Sequence, residues 1–174
     1  MIVPFPLLKG ETCMCTNFAL VKRIYEISIP HFTEEGTFQS AIYQLEKIAK
    51  FGADALYLLP IHKVDLQTSR SPYCITDSFH VREELGSFND LKQFTDAAHA
   101  LNLKVVLDVV FNHASINHYC AYDEDFFALD ENKKPFHPIG TDWTDVYQVN
   151  HRDVWYSYNS LNAMFHFLEL GIDG

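Results

Sequence analysis

Three features of the sequence predict an α/β protein in which helices cover a parallel sheet. Strand-like and helix-like patterns alternate three times along the chain. Segment 104–111 is almost continuously apolar, as expected for a strand with both faces covered. The helix-to-strand turns are short, whereas the strand-to-helix segments 61–86 and 112–150 are long. Such alternation is typical of parallel strands joined by right-handed crossovers. In a barrel of such units, the long loops would lie on the functional face.

The first predicted unit is a strand followed by an amphipathic helix. Segment 24–29 is rich in β-forming residues and ends at Pro30. The following helix has Thr37 as its expected N-cap and Gly52 as its stop. Apolar residues recur at helical spacing at Phe38, Ala41, Ile42, Leu45, Ile48 and Ala49.

The second unit starts with the short apolar segment 55–59, which ends at Pro60. Its helix is expected to begin at the capping-box pattern formed by Ser87 and Asp90. The apolar face of that helix carries Leu91, Phe94, Ala98 and Leu101.

The third unit combines strand 104–111 with a helix that stops at Gly171, and a fourth strand begins directly afterwards. One apolar stripe of this helix carries Val154, Tyr158, Leu161, Phe165 and Leu168. A complete (β/α)₈ barrel needs about 250 residues, so 174 residues supply fewer than four of its eight strands.

Composition and charge exclude several classes of function. The net charge of −10 disfavours nucleic acids and anionic membrane surfaces, both of which need a basic patch. No run of about 18 apolar residues predicts a membrane span, and segment 1–8 lacks the features of a secretory signal. The four cysteines, which include the closely spaced Cys13 and Cys15, are too few for a disulfide scaffold. We therefore expect a cytoplasmic protein with reduced thiols.

Polar residues inside and after the third strand are candidates for a site. Asp108 lies within an apolar strand, where an unpaired carboxylate is costly, so it must be hydrogen-bonded, paired or open to a cleft. Asn112 and His113 follow at the strand end, where directed hydrogen bonds to a polar ligand are expected. The alternatives are a structural network at Asp108, a merely satisfied histidine at position 113, and a zinc site formed with His118.

Four segments resemble the α-amylase-type glycoside hydrolases (glycoside hydrolase family 13), in order and spacing. Segment 108–113 matches the pattern D-x-V-x-N-H that closes the third strand in that family. Segment 25–32 resembles the first-strand region and 51–62 the second-strand region. Segment 71–77 resembles the loop S-P-Y-x-x-x-D. The similarity covers roughly residues 20–174. It implies the N-terminal part of a (β/α)₈ TIM barrel, with strands one to three, their helices, and a short segment inserted after strand three.

The resemblance also implies roles for individual residues. Tyr73 would stack against the sugar next to the scissile bond, and His113 would bind hydroxyl groups of that sugar. Asp108 would be a buried structural acid near the site. Asn112 matches a position that ligates Ca²⁺ in the calcium-binding members, so Ca²⁺ is the one cofactor to consider. The matching substrate is an α-glucan oligosaccharide or polysaccharide.

The resemblance further divides the chain and indicates what it does. The expected parts are a lead-in (1–20), the first part of the barrel (21–113), a small inserted domain (114–150), and the third helix with the start of strand four (151–174). The family's nucleophile, acid and third carboxylate would all follow Gly174. The expected function is thus the N-terminal part of a retaining α-glucan hydrolase that is inactive alone. It would need the remaining strands from its own longer chain or from a second chain. The alternative is a non-catalytic glucan-binding or assembly protein.

Overall fold

The computed structural model describes residues 21–174, and three parallel strands form the central sheet of this part. They are β1 (Ile24–Ile27), β2 (Ala55–Leu58) and β5 (Lys104–Leu107), in the order β1-β2-β5. Glu26 lies opposite Tyr57, which lies opposite Val106, so the three strands are aligned in one register. The predicted α/β class and the parallel sheet are confirmed.

Two helices begin where the capping signals predict their starts. Thr37 and Ser87 each form a capping box with the residue three positions later, Ser40 and Asp90. Each box satisfies backbone N–H groups that the first helical turn leaves unpaired. The helices are α1 (Ile29–Phe32), α2 (Phe38–Ile42), α3 (Leu45–Lys50), α4 (Phe88–Ala100) and α5 (Val154–Glu169), and a 3₁₀ turn spans Glu83–Leu85.

The single helix predicted for the first unit is divided in two. The Gln44 N–H donates to the Ala41 carbonyl at 3.0 Å, a three-residue bond that tightens the chain between α2 and α3. The apolar spacing is the same on both sides of this turn, so periodicity alone does not reveal the division.

The main core lies between the outer face of the sheet and the helices. Leu56 and Leu58 have no exposed surface, and burying such a side chain stabilises the fold by about 1.5–3 kcal/mol. The rings of Phe38 on α2 and Phe94 on α4 pack at a centroid distance of 6.0 Å. The other sheet face, at Tyr57 and Val106, is only half-buried. This face corresponds to the interior of a barrel.

The two long strand-to-helix segments carry small antiparallel sheets of their own. β3 (His62–Val64) pairs with β4 (Ile75–Val81), and β6 (His113–Ser115) pairs with β7 (Val146–Gln148). A second small core fills the segment after β5, and its members are Ala114, Cys120, Phe126, Phe127 and Val149. The proposed division into four parts stays a prediction. Its lead-in, with Cys13 and Cys15, lies outside the described residues.

The third strand is shorter than predicted. β5 ends at Leu107, and one further ladder bond joins the Asp108 N–H to the Leu58 carbonyl at 2.9 Å. On the neighbouring strand, the residues after β2 then reach Pro60, which has no N–H to donate. Without a ladder partner, the apolar residues that follow Asp108 leave the strand conformation.

The apolar stripe predicted on the last helix is largely exposed. Ala163 and Phe167 are the buried residues of α5, whereas Leu161 and Leu168 are 50% and 36% exposed. A groove of about 260 Å³ runs between α5 and the end of β5. Within residues 21–174, no helix is both long and apolar enough to span a bilayer. A cytoplasmic location stays a prediction.

Candidate functional site

A tyrosine and a carboxylate from separate segments meet above the carboxyl end of the sheet. Tyr73 lies in the turn before β4, where its N–H donates to Ser71 Oγ at 3.2 Å. Its hydroxyl donates to Asp108 Oδ2 at 3.0 Å. Burial and the neighbouring Asp108 carboxylate raise the pKa of Tyr73 to about 12. The phenol therefore stays protonated and holds its ring against the residue that follows β5.

Asp108 is half-buried and has the hydrogen-bond partner that we expected for a carboxylate next to apolar strand residues. The sequence left a structural network and a cleft-facing carboxylate open, and the structure shows a hydrogen-bonded carboxylate that does not itself line the cavity. Since the carboxylate accepts a hydrogen bond from Tyr73, it fixes the orientation of a ring that faces a cavity.

Tyr57 belongs to the same group, although the sequence analysis did not single it out. It lies on β2, on the half-buried inner face of the sheet, next to Glu26 of β1. Burial, a hydrogen bond to Asp108 and the charges of Asp108 and Glu26 raise the pKa of Tyr57. The sequence could have predicted this placement. Tyr57 lies between Leu56 and Leu58, and successive strand residues face opposite sides of a sheet.

His113 opens β6 rather than closing the third strand. It is 8% exposed, and its Nδ1 has no hydrogen-bond partner among the described residues. Burial lowers the pKa of His113, while the Tyr73 backbone and the Asp145 carboxylate act in the opposite direction. The Trp143 ring packs edge-on against the imidazole at a centroid distance of 5.1 Å. The imidazole is therefore neutral near pH 7.

A cavity of about 350 Å³ brings the predicted sugar-binding residues together. Its lining consists of Ser71, Tyr73, His113, Trp143, Asp145 and Val146. This volume lies in the range of small-molecule sites, which combine aromatic walls with a few polar groups. Tyr73 and His113, which are 40 positions apart in the sequence, thus share one wall of one cavity.

Asn112, the position that the resemblance linked to Ca²⁺, is hydrogen-bonded to Gln148. Gln148 Nε2 donates to Asn112 Oδ1 at 3.2 Å and to the Asn112 carbonyl at 2.6 Å. Ca²⁺ takes six to eight oxygen ligands, yet residues 21–174 hold no cluster of three acidic, histidine or cysteine side chains. The assignment of Ca²⁺ to Asn112 therefore stays a prediction.

The histidine proposed as a zinc partner makes other contacts. The His118 ring stacks on Phe126 at 4.6 Å, and its Nδ1 accepts from the Cys120 N–H at 3.2 Å. Burial lowers the pKa of His118 to about 4. A neutral, stacked imidazole in the second core is typical of a structural histidine.

Asp173 lies away from the cavity and is engaged in structural contacts. Its Oδ1 accepts from Lys104 Nζ at 2.7 Å, and its Oδ2 contacts His99 Nε2 and the Val105 N–H, both at 2.8 Å. Lys104 and Val105 belong to the start of β5 and His99 to the last turn of α4, whereas Asp108 follows the end of β5, roughly 10 Å further along the strand. Asp173 is therefore part of the sheet edge and does not approach Tyr73 or His113.

Comparison with known proteins decides the family. A model of the α-amylase catalytic domain matches residues 16–167. The chain belongs to the α-amylase family. The membership agrees with the cavity, because Tyr73 and His113 come from two of the four segments on which the sequence resemblance rests.

Similar proteins place this α-amylase-family chain in the N-terminal part of a barrel. It is 40% identical over 90 residues to the malto-oligosyltrehalose trehalohydrolase of Arthrobacter ramosus, covering 52% of this chain and 16% of that protein. It is 35% identical over 100 residues to the α-amylase MalA of Haloarcula japonica, covering 55% and 14%. A crystal structure of an α-amylase from Lactobacillus plantarum superimposes with a TM-score of 0.79 at 28% identity, covering 85% and 36%.

The coverage shows what this α-amylase-family chain contains. It matches about a third of the length of the solved α-amylase and a smaller share of the curated relatives. Together with the open three-stranded sheet, this confirms the prediction of a partial (β/α)₈ barrel.

Proposed function

We propose that this chain forms the sugar-binding half of an active site that acts on α-glucosidic bonds of starch- or glycogen-type chains. The observation that carries the proposal is the shared cavity of Tyr73 and His113. The names of the related enzymes, a malto-oligosyltrehalose trehalohydrolase and an α-amylase, support a glucan as the ligand.

The two residues suit the two kinds of surface on a glucose ring. The aromatic face of Tyr73 offers an apolar platform for the C–H face of the sugar, and its tilt is set by the Asp108 carboxylate. His113 lines the same cavity, and its neutral imidazole carries one donor nitrogen and one acceptor nitrogen, the two functions that sugar hydroxyls pair with. Hydrogen bonds to sugar hydroxyls that strengthen in an oxocarbenium-like transition state contribute to the rate as well as to binding.

Cleavage needs groups beyond this binding surface. Retaining glycosidases use two carboxylates about 5–5.5 Å apart, one as nucleophile and one as acid and base. Asp108 is tied to Tyr73 and Asp173 to Lys104, so neither is offered as a nucleophile here. We propose that the catalytic carboxylates come from barrel strands outside residues 21–174, and that a protein limited to these 174 residues binds glucan without cleaving it.

The test combines calorimetry with an activity assay. We expect maltotriose to bind the wild-type protein, and to bind at least tenfold more weakly after Tyr73→Ala or His113→Ala. Tyr122→Ala is the matched control, since Tyr122 is 85% exposed and does not line the cavity. Reducing-sugar release from starch should not exceed that of the Tyr73→Ala/His113→Ala double variant. Equal affinity in all variants, or glycosidase activity above that background, would contradict the proposal.

The sheet edge and the last helix favour a second proposal, that further barrel units pack on this chain. The Asp173 N–H donates to the Val105 carbonyl at 2.7 Å, and the Leu107 N–H donates to Gly174 at 2.9 Å. A neighbouring strand thus starts along β5, beside the apolar groove that Leu161 and Leu168 line. We propose that additional strand-helix units, from a longer form of the chain or from a second chain, cover this groove.

Sedimentation velocity tests this second proposal. If the groove is uncovered in the 174-residue protein, we expect concentration-dependent self-association that the double variant Leu161→Lys/Leu168→Lys reduces. A stable monomer at high concentration, unchanged by the substitutions, would show that the groove does not need a cover.

A further inference from the structure

A buried arginine directly follows β4, and its guanidinium has no hydrogen-bond acceptor among residues 21–174. Only 10% of the Arg82 side chain is exposed. Its backbone N–H donates to the Ile61 carbonyl at 2.9 Å, which fixes it next to the start of β3. Its Nε is fully buried and unpaired within the described residues. A buried donor without a partner is unfavourable, and more so when the donor is charged. Arg82 therefore lacks the acceptor that its burial would ordinarily require.

The carboxylate that pairs with Arg82 compensates its charge only in part. Glu84 Oε1 lies 3.7 Å from Arg82 Nε, beyond hydrogen-bond distance, and the Glu84 side chain is 50% exposed. Burial lowers the pKa of Arg82 and Glu84 acts in the opposite direction, yet a guanidinium stays charged at neutral pH. Glu84 approaches the Nε edge of the group. The fork formed by the two terminal nitrogens is therefore available to a second anion.

Arg82 lines a cavity of about 320 Å³ at the base of the β3–β4 hairpin. This volume lies in the range of small-molecule sites. The cavity shares no lining residue with the cavity of Tyr73 and His113, so the two are separate sites. Its lining consists of Lys63, Val64, Leu66, Arg82, Glu83 and Glu84.

The rest of the lining supplies a second cation and an apolar wall. Lys63 Nζ lies 3.9 Å from Glu83 Oε1, and the Glu83 side chain is 91% exposed. So exposed a pair contributes at most about 1 kcal/mol, and Lys63 can exchange Glu83 for a ligand. Val64 and Leu66 are the apolar part of the lining, and Leu66 is 64% exposed. The cavity therefore presents two cationic groups next to an apolar surface.

The charges around the cavity select among anionic ligands. A phosphate dianion would meet the carboxylates of Glu83 and Glu84 in a chain whose net charge is −10. A monocarboxylate brings a single negative charge, and its planar group matches the guanidinium fork with two parallel hydrogen bonds. The apolar wall favours a ligand with a hydrocarbon body over acetate or formate.

We propose that this cavity binds a small monocarboxylate with an apolar body, whose two oxygens pair with the Arg82 guanidinium while its hydrocarbon part lies on Val64 and Leu66. Lys63 provides a further contact to the carboxylate. The site goes beyond the proposed function, because it takes a different class of ligand in a different cavity and does not depend on glucan binding.

An NMR titration with 4-methylpentanoate provides a local readout on the wild-type protein. We expect the methyl signals of Val64 and Leu66 to shift in a saturable way. The methyl signals of Val146, which lines the sugar cavity, should not move. The neutral isostere 4-methylpentanamide and inorganic phosphate should each bind at least tenfold more weakly, because the first lacks the charge and the second meets the two glutamates.

Substitutions of the two cations complete the test. Arg82→Gln should weaken 4-methylpentanoate binding at least tenfold, and Lys63→Gln by about threefold, as expected for a half-exposed cation. Should Arg82→Gln fail to fold, Arg82→Lys replaces it. That variant keeps the charge, loses the fork, and should bind about fivefold more weakly than wild type. Lys50→Gln is the matched control, since the Lys50 side chain is 79% exposed on α3 and does not line the cavity.

Several outcomes would overturn the proposal. An amide that binds as tightly as the carboxylate would show that the charge is not recognised. Tighter binding of phosphate would show that the ligand class is wrong. Unchanged affinity in both Arg82→Lys and Lys63→Gln, or no shift at Val64 and Leu66, would show that the carboxylate does not bind here. None of these results bears on maltotriose binding at Tyr73 and His113, so the proposed function is judged separately.

Discussion

A buried carboxylate joins the loop after β3 to the inserted segment, and its removal gives a sharp test of how the site is built. Asp65 follows β3 and is 7% exposed. Its Oδ1 accepts from the N–H groups of Gln67 and Thr68, both at 3.1 Å. Its Oδ2 accepts from Ser115 Oγ at 3.2 Å and from Asn117 Nδ2 at 2.7 Å. Ser115 and Asn117 lie just after His113, so this network positions the cavity wall.

The size of the effect follows from the ionisation of Asp65. Burial raises the pKa of this carboxyl, but the hydrogen bonds from Thr68, Asn117 and Gln67 outweigh it and lower the pKa to about 2, from the ordinary value of 3.8. The lowered pKa means that the folded state favours the ionised form. This contributes about 2 kcal/mol to the free energy of unfolding above pH 5. The contribution declines as the pH falls through the folded-state pKa, to about 1 kcal/mol at pH 3.

The perturbation is Asp65→Asn, measured by urea unfolding at pH 7 and at pH 3. We expect the variant to be less stable by about 2–3 kcal/mol at pH 7, since an amide has one fewer acceptor and places N–H groups against existing donors. The difference should shrink by about 1 kcal/mol at pH 3. Glu46→Gln is the control, because Glu46 is exposed and, among residues 21–174, pairs with Lys50 alone, and such pairs contribute at most about 0.5 kcal/mol. A destabilisation of Asp65→Asn that is the same at both pH values would refute the reasoning.

Two further predictions follow from single contacts. Tyr73→Phe keeps the stacking ring but loses the hydrogen bond to Asp108, so calorimetry should show maltotriose affinity reduced by about three- to tenfold, and a reduction as large as that of Tyr73→Ala would contradict the positioning role of Asp108. His62 is 2% exposed and packs edge-on against Phe167, and burial lowers its pKa to about 4. Because the folded state takes up no proton at His62 between pH 6.5 and 4, this residue alone should lower the free energy of unfolding by about 3 kcal/mol over that range. His118 adds a similar loss, since burial lowers its pKa to about 4 as well. His62→Leu should remove only the His62 share of the loss in urea unfolding, and an unchanged pH dependence would show that His62 is not buried as described.

Local signals predicted the elements of the fold well. The capping boxes at Thr37 and Ser87 marked helix starts, and the apolar segments before Pro60 and Asp108 marked strands. These features depend on residues within one turn or one strand, which is the range over which sequence patterns carry information.

Features that depend on distant neighbours were not predictable in the same way. The end of β5 depends on where β2 stops supplying partners, and the exposure of Leu161 depends on which elements pack against α5. The contact of Trp143 with His113 joins two segments 30 positions apart through the pairing of β6 with β7. The sequence suggested Tyr73 and His113 through family motifs, but it had no signal for Trp143 as a wall of their cavity.

The central claim is that Tyr73 and His113 together hold a glucosyl unit, and a crystal structure with maltotriose tests it most directly. The account predicts one glucose ring stacked on the face of Tyr73, with a hydroxyl oxygen within about 3 Å of a His113 ring nitrogen. It also predicts that the Tyr73 hydroxyl remains bound to Asp108. Maltotriose bound at a different surface, with this cavity containing only solvent, would contradict the account.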